Sequence, residues 1–110
     1  MALGEWVRLR GVGEAPEMNT VVEAEACGRD GVGVPICLAN VEGRLSALGN
    51  ICPHREGPLG AGWIEEGAVM CPWHAWAFDV TTGVAAAPEK GRVAVYPVRV
   101  EGGDVLVELK

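Results

Sequence analysis

The sequence predicts an all-β domain. No window of eleven or more residues has its apolar side chains at helical spacing. Short stretches that alternate apolar and polar residues are instead separated by turn sequences rich in glycine, proline and aspartate. The chain has 110 residues, which is enough for one domain with a modest core and too few for two. We therefore expect a single domain over residues 1–110.

The first half of the chain predicts a meander of antiparallel strands. Residues 20–27 alternate most regularly, while 34–41 are predominantly apolar and should be buried on both faces of a sheet. The glycine-rich turns between these stretches are short enough to join neighbouring strands. The predicted strands are 5–10, 20–27, 34–41 and 44–48.

The second half predicts further short strands and a closing hairpin. The sequence EGGD at 101–104 is a turn between two alternating stretches, and these should complete the main sheet. A turn is expected at 81–83, followed by a loop over 84–91 that contains Pro88. The predicted strands are 68–71, 76–79, 92–100 and 105–109.

Two pairs of cysteine and histidine lie between residues 50 and 79. One residue separates Cys52 from His54, two separate Cys71 from His74, and sixteen lie between His54 and Cys71. The chain has only two histidines, and both belong to these pairs. Thiolate and imidazole are common metal ligands, so this arrangement predicts a metal site.

The distribution of the ligands favours two irons over one zinc. A mononuclear zinc site usually takes two like ligands from one segment, whereas each segment here offers one cysteine and one histidine. Two mixed segments suit a [2Fe–2S] cluster in which both cysteines bind one iron and both histidines bind the other. A zinc-stabilised β module that serves in protein interactions is the alternative.

The sequence CPH…CPWHAWAFDVTTG resembles the cluster-binding loops of Rieske-type [2Fe–2S] ferredoxins. The resemblance covers C-x-H-x16-C-x2-H, the aromatic strand and the T-G turn, and is strongest over residues 50–83. It implies thiolate ligands at Cys52 and Cys71 and imidazole ligands at His54 and His74. It also implies a Rieske-like antiparallel β-sandwich, with a small cluster-binding subdomain of two loops at about 50–79 inserted between the strands of the main sheet. The iron bound by histidine would then lie at the tip of this subdomain, facing solvent and partners.

The chain departs from the high-potential, quinol-oxidising branch that it resembles more distantly. That branch has an additional bridged cysteine in each loop, where this chain has Gly57 and Trp73. It also has a serine and a tyrosine whose hydroxyls point at cluster sulfurs, where this chain has Trp76 and Phe78. With fewer donors to stabilise the reduced cluster, we expect a midpoint below about 0 mV, near the lower end of the Rieske range.

Charge and hydropathy restrict the partners. Fifteen acidic and nine basic residues give a net charge of −6, which argues against binding to nucleic acid and suits a partner with a basic patch. The longest apolar run is too short to span a bilayer, and the N-terminus has no signal-peptide core. We therefore expect a cytoplasmic protein without a membrane anchor.

Two cysteines and three tryptophans allow more than one interpretation. Cys27 and Cys37 flank the turn GRDGVG and could face one another, although two separate buried thiols are favoured in a reducing cytosol. Trp63, Trp73 and Trp76 lie near the predicted ligands, and we expect them to form a small core there, with a second role in limiting water access to the cluster.

The predicted function is electron transfer. Apart from the cluster the chain offers no convincing catalytic group, so we do not expect an enzyme. A Rieske-type ferredoxin would accept one electron from a flavin- or NAD(P)H-linked reductase and pass it to a terminal acceptor such as an oxygenase. The alternative within this resemblance is the Rieske-like small subunit of a nitrite reductase-type enzyme.

Overall fold

The computed structural model describes residues 5–11, 16–53, 56–73 and 75–109. These residues contain ten strands, one 3-10 turn at Leu59–Ala61 and no α-helix. Within the same ranges, no helix is long and apolar enough to cross a bilayer. The strands are β1 (Glu5–Arg8), β2 (Thr20–Cys27), β3 (Gly33–Val41), β4 (Arg44–Gly49), β5 (Trp63–Glu65), β6 (Ala68–Met70), β7 (Ala77–Asp79), β8 (Val95–Tyr96), β9 (Val98–Glu101) and β10 (Asp104–Leu109).

The ten strands form three sheets, and every pairing between them is antiparallel. The outer sheet has the order β1-β10-β9, and the middle sheet has the order β2-β3-β4-β8. The loop sheet has the order β5-β6-β7; in sequence, β5 and β6 lie between Cys52 and Cys71, and β7 follows Cys71. The all-β, antiparallel fold predicted from the sequence is confirmed.

Strand β3 has buried side chains on both faces, as its apolar sequence predicted. Ile36 and Leu38 point to one side of the middle sheet, and Cys37 and Ala39 point to the other. All four are fully buried. Because successive side chains of a strand alternate between faces, β3 contributes to two separate cores.

The two cores lie on opposite faces of the middle sheet. The outer core joins the middle sheet to the outer sheet and contains Leu9, Ala26, Ile36, Leu38, Ala47, Val105 and Val107. The inner core joins the middle sheet to the loop sheet and contains Cys37, Ala39, Leu48, Cys52, Leu59, Val69, Cys71, Phe78, Ala85 and Val93. Both predicted ligand cysteines are therefore part of the inner core.

Cys27 and Cys37 lie in the same hairpin but do not face one another. In the register of β2 and β3, Cys27 is opposite Gly33 and Cys37 is opposite Glu23, and both thiols are free. Cys37 is fully buried. Burial, with a smaller effect from Glu23, raises its pKa to about 12. Cys37 is thus a protonated core thiol, while Cys27 is only partly buried.

The prediction of one strand at 92–100 was wrong, because this segment forms two strands that belong to two different sheets. Strand β8 pairs with β4 of the middle sheet, and β9 pairs with β10 of the outer sheet. Pro97 lies between them and has no N–H to donate to a ladder, so the pairing is interrupted there. The hairpin at 101–104 is confirmed, with positive φ at Gly102 and Gly103.

Candidate metal centre

Two loops with the same backbone hydrogen bonds carry the predicted ligands. In loop 1, residues 52–57, the Cys52 N–H donates to the Gly57 carbonyl at 2.9 Å, and the Glu56 N–H donates to the Cys52 carbonyl at 2.8 Å. In loop 2, residues 71–76, the same two bonds join Cys71 to Trp76 at 2.8 Å and Ala75 to Cys71 at 3.1 Å. Each loop therefore folds back on its own cysteine.

Both loops also place a residue other than glycine in the left-handed region. The φ angle is 61° at Glu56 and 53° at Ala75, the fourth residue after the cysteine in each case. Such angles are uncommon for residues with a Cβ and persist where the surrounding bonds determine them. In the residues that the structure describes, the two loops thus share a left-handed residue at the same place as well as their hydrogen bonds.

The two cysteines are brought together in a buried site. Cys52 and Cys71 are fully buried and unbridged. The pKa of Cys71 is raised, mainly by burial and further by the neighbouring Cys52 thiol, while a hydrogen bond from the Trp73 backbone N–H acts to lower it. A cysteine sulfur that accepts an N–H bond and lies beside a second cysteine sulfur fits the sulfur side of an iron–sulfur site, whose irons would bind both as thiolates.

Both predicted imidazole ligands, His54 and His74, lie outside the described residues. By sequence they belong to loop 1 and loop 2, the same two loops that bring the cysteines together. Within the described ranges no three histidine, cysteine, aspartate or glutamate side chains converge. The described part of the site accordingly consists of its two sulfur atoms.

The glycines near the loops lie where neighbouring atoms come too close to leave room for a side chain. None of Gly57, Gly60 and Gly62 has a positive φ. A Cβ on Gly57 would lie 3.0 Å from the Cys71 sulfur and 3.1 Å from the indole Cγ of Trp73. Glycine allows both a positive φ and a close approach of the backbone, and here it is the close approach that explains these residues.

The prediction that three tryptophans form a small core is wrong for two of them. Trp63 and Trp73 are 43% and 48% exposed, and only Trp76 packs against the inner core. The space is filled instead by smaller apolar side chains and the cysteines. Trp63 lies on a strand of only three residues and donates its indole N–H to Glu65 at 3.1 Å. Trp73 lies against Gly57, so one face of its indole covers the contact between the loops.

Phe78 and the loop 84–91 close two further sides of the site. Phe78 is fully buried in the inner core, with its ring centroid 6.4 Å from that of Trp76. At the end of the loop, a Cβ on Gly91 would lie 3.2 Å from Cγ of Pro53 and 4.0 Å from the indole of Trp76. The end of this loop therefore reaches loop 1, and apolar groups of the inner core pack beside the buried sulfurs.

One residue of the site was missed from the sequence. Asn50 is buried at the entrance to loop 1 and bonds to Glu23 and Gly60. The signal in the sequence was weak, since an asparagine after a strand ordinarily indicates a turn.

A family model of the Rieske [2Fe–2S] domain matches residues 5–97. The chain belongs to this family. The ferredoxin component of the naphthalene 1,2-dioxygenase system of Pseudomonas putida is 33% identical over 97 residues, covering 87% of this chain and 93% of that protein.

Solved structures share the Rieske fold. A chain in the complex of reduced oxygenase and oxidized ferredoxin in carbazole 1,9a-dioxygenase superposes with a TM-score of 0.74 and 26% identity, covering 94% of this chain and 92% of that chain. A protein described as a putative NADH-dependent nitrite reductase small subunit from Mycobacterium tuberculosis superposes with a TM-score of 0.77, covering 99% and 98% of the two chains. At 20% identity, the latter likeness shows the fold alone.

Membership of the family decides between the alternatives for the cofactor. A Rieske domain carries a [2Fe–2S] cluster, so the zinc-stabilised module is wrong. The relative with 33% identity is a ferredoxin, and the predicted function, electron transfer by a protein that is not itself the enzyme, is confirmed.

Proposed function

We propose that this Rieske protein is the ferredoxin of an oxygenase system, accepting one electron from a flavin- or NAD(P)H-linked reductase and passing it to a terminal oxygenase. The observation that carries this proposal is the identity of 33% over most of both chains with a dioxygenase ferredoxin. The likeness to a ferredoxin solved together with its oxygenase supports the same acceptor. The likeness to a nitrite reductase small subunit, at 20% identity, shows the fold alone and so does not support that role.

The proposed ligands are Cys52 and Cys71 for one iron and His54 and His74 for the other. When bound, the cluster takes up and releases a single electron. The chain supplies two buried sulfurs, an N–H bond from Trp73 to the Cys71 sulfur, and an apolar wall that includes Phe78. Apolar surroundings and N–H donors are the means by which a protein tunes a cluster.

We further propose that the domain spans residues 1–110, with the cluster-binding subdomain at about 50–79. The loop sheet and the two loops fall within the latter range. We also propose a cytoplasmic location, which suits a carrier that meets a reductase using a soluble nicotinamide cofactor. Fractionation of the native host would test this location directly.

The experiment that tests the proposed function uses the iron-loaded protein and its candidate partners. The purified protein should contain two irons and two sulfides and give a Rieske electron paramagnetic resonance signal when reduced. With the reductase and oxygenase encoded by the same host, product formation should depend on the ferredoxin and be lost when it is omitted. Unchanged turnover without the ferredoxin, or a protein that is stable only in a nitrite reductase complex, would reject the proposal.

A further inference from the structure

The entrance to loop 1 contains a buried polar side chain that the proposed ligands leave unexplained. Asn50 directly follows β4 and comes two residues before Cys52. It is 5% exposed, and it is the one buried polar side chain among the residues that the structure describes. Buried polar groups are costly unless they are hydrogen-bonded, so the contacts of Asn50 need an explanation.

The side-chain amide of Asn50 joins two segments that are distant in sequence. Its Oδ1 accepts a hydrogen bond from the Gly60 N–H at 2.6 Å, and its Nδ2 donates to Oε1 of Glu23 at 2.9 Å. Glu23 lies on β2, and Gly60 lies in the 3-10 turn. Asn50 therefore connects the middle sheet to the segment that follows loop 1.

The backbone of Asn50 makes the same kind of connection. Its N–H donates to the Pro35 carbonyl of β3 at 3.0 Å, and its carbonyl accepts from the Leu59 N–H at 2.8 Å. The backbone and the side chain thus contact successive residues of the 3-10 turn, Leu59 and Gly60.

The two loops differ in what holds their ends together. Loop 2 is flanked by paired strands, since Met70 is opposite Ala77 and two further pairs continue the ladder of β6 and β7. Loop 1 is flanked by a single bridge between Ile51 and Pro58, and proline has no N–H to donate. Beyond this bridge the chain enters the 3-10 turn, and the hydrogen bonds of Asn50 take the place of a ladder.

The 3-10 turn lies directly on the backbone of β2. A Cβ on Gly60 would be 2.8 Å from both Cα and N of Glu23, so no larger residue fits there without displacement. With the two segments this close, a short side chain that offers both an acceptor and a donor can bond to Gly60 and Glu23 at once, as Asn50 does. Aspartate has no donor and would face the Glu23 carboxylate, and glutamine is longer by one methylene.

We propose that Asn50, oriented by Glu23, is a positioning residue that fixes loop 1, and with it the Cys52 sulfur, relative to the middle sheet. This inference rests on the proposed role of Cys52 as an iron ligand. The contact itself, however, is independent of the metal, because it joins only protein groups.

The test compares variants of Asn50 and Glu23 in the iron-loaded protein. Asn50→Leu removes the side-chain bonds at similar volume, Glu23→Ala removes only the carboxylate, and Glu23→Gln keeps an acceptor oxygen. A matched control is Glu42→Ala in the turn at the other end of β4, where Glu42 also accepts a hydrogen bond from an asparagine, Asn19. The measurements are hydrogen exchange at the Gly60 N–H, iron release to a chelator, and the resonance signal of the reduced cluster.

Asn50→Leu and Glu23→Ala should speed exchange at Gly60 by about tenfold, the factor expected for one hydrogen bond of ordinary net strength. Both variants should also release iron faster and shift the resonance signal. Glu23→Gln, which keeps an acceptor oxygen, and the control Glu42→Ala should behave like the wild type in all three measurements. The inference would be overturned if Glu23→Ala kept the wild-type rate of exchange at Gly60. It would also be overturned if Glu42→Ala released iron as fast as Glu23→Ala.

Two further outcomes are separable. If Asn50→Leu does not fold, the comparison of the three glutamate variants still decides the question. If the wild-type protein holds no [2Fe–2S] cluster, the proposed ligands are at fault, and exchange at Gly60 in the metal-free chain still tests the role of Asn50.

Discussion

Gly57 of loop 1 lies directly against Cys71 of loop 2. A Cβ at position 57 would be 3.0 Å from the Cys71 sulfur, closer than ordinary van der Waals contact. The backbone of one loop is thereby held at the sulfur of the other. This proximity makes the smallest side chain a condition for bringing the two loops together.

Gly57→Ala should destabilise the iron-loaded protein by about 1–3 kcal/mol, the usual cost of overpacking a close contact. Chemical denaturation with absorbance of the cluster as the signal measures this change. Gly49→Ala is the control, because a Cβ there would meet only ordinary contacts, 3.7 Å from the Ala94 nitrogen. Equal stability of the two variants would show that the loops can separate without cost.

The two proposed ligand cysteines should differ from Cys27 in their effect on the cluster. Cys52→Ser and Cys71→Ser should lose most of the iron and the visible colour, because each removes a proposed thiolate ligand. Cys27→Ser should keep both, since Cys27 is a partly buried free thiol on β2. Iron analysis and absorption spectra distinguish these cases. Full iron content in Cys71→Ser would contradict the proposed ligand set.

The same measurements extend to the histidines. His54→Ala and His74→Ala should abolish the Rieske resonance signal, because each removes a proposed imidazole ligand from the second iron. A signal that survives either substitution unchanged would exclude that histidine as a ligand.

The midpoint potential should lie below about 0 mV at neutral pH, toward the lower end of the Rieske range. Phe78 has no hydroxyl to donate to the cluster, and Gly57 and Trp73 occupy the positions of the bridged cysteines in the high-potential branch. Film voltammetry of the wild-type protein measures the potential. A midpoint well above this value would mean that other donors stabilise the reduced cluster.

Cys37 should make the protein less stable at alkaline pH. Its pKa is raised from 9.0 to about 12, so above pH 9 the native state binds more protons than the unfolded state. The stabilisation is fully present below pH 9 and is lost as the pH rises toward 12, by up to about 4 kcal/mol in total. Urea unfolding of the iron-loaded protein between pH 8 and pH 11 measures the slope.

Cys37→Ala should be less stable at neutral pH, because it leaves a cavity, but should show a flatter decline with rising pH than the wild type. Cys27→Ala serves as the control for removing a thiol elsewhere. Identical slopes in wild type and Cys37→Ala would assign the alkaline decline to other groups.

Electron transfer from the reductase should slow as ionic strength rises. The net charge is −6, and Glu65 and Glu66 are exposed at the β5–β6 turn of the loop sheet. Salt screens attraction to a basic partner, so the second-order rate should fall between about 0.05 M and 0.5 M salt. Stopped-flow reduction at several salt concentrations tests this, and a rate independent of salt would exclude electrostatic steering.

The sequence predicted the strands well where alternation and turn residues agreed. β2 has the predicted bounds, and β3 and β4 differ from prediction by one residue at one end. It failed at Pro97, because the alternating pattern continues across the proline while the hydrogen-bond ladder does not. It also missed β5, whose three residues are too few to show a period.

The two loops that bring Cys52 and Cys71 together could be predicted, because a metal site requires its ligands at characteristic spacings. The surroundings of the loops could not, since they depend on contacts between distant segments. Nothing local to Asn50 indicates that it bonds to Glu23, and nothing local to Trp73 indicates that its indole is half exposed over Gly57. Such features follow from how the sheets pack together.

The position of β3 between two cores has a consequence for how the molecule comes apart. Ile36 and Leu38 stabilise one core and Cys37 and Ala39 the other, so displacing this strand removes side chains from both cores at once. Thermal melting should therefore be cooperative, with bleaching of the chromophore and loss of the outer sheet sharing one transition temperature. A substitution that leaves a cavity at Val107, on the far side of the middle sheet, should therefore lower the temperature at which the cluster absorbance is lost.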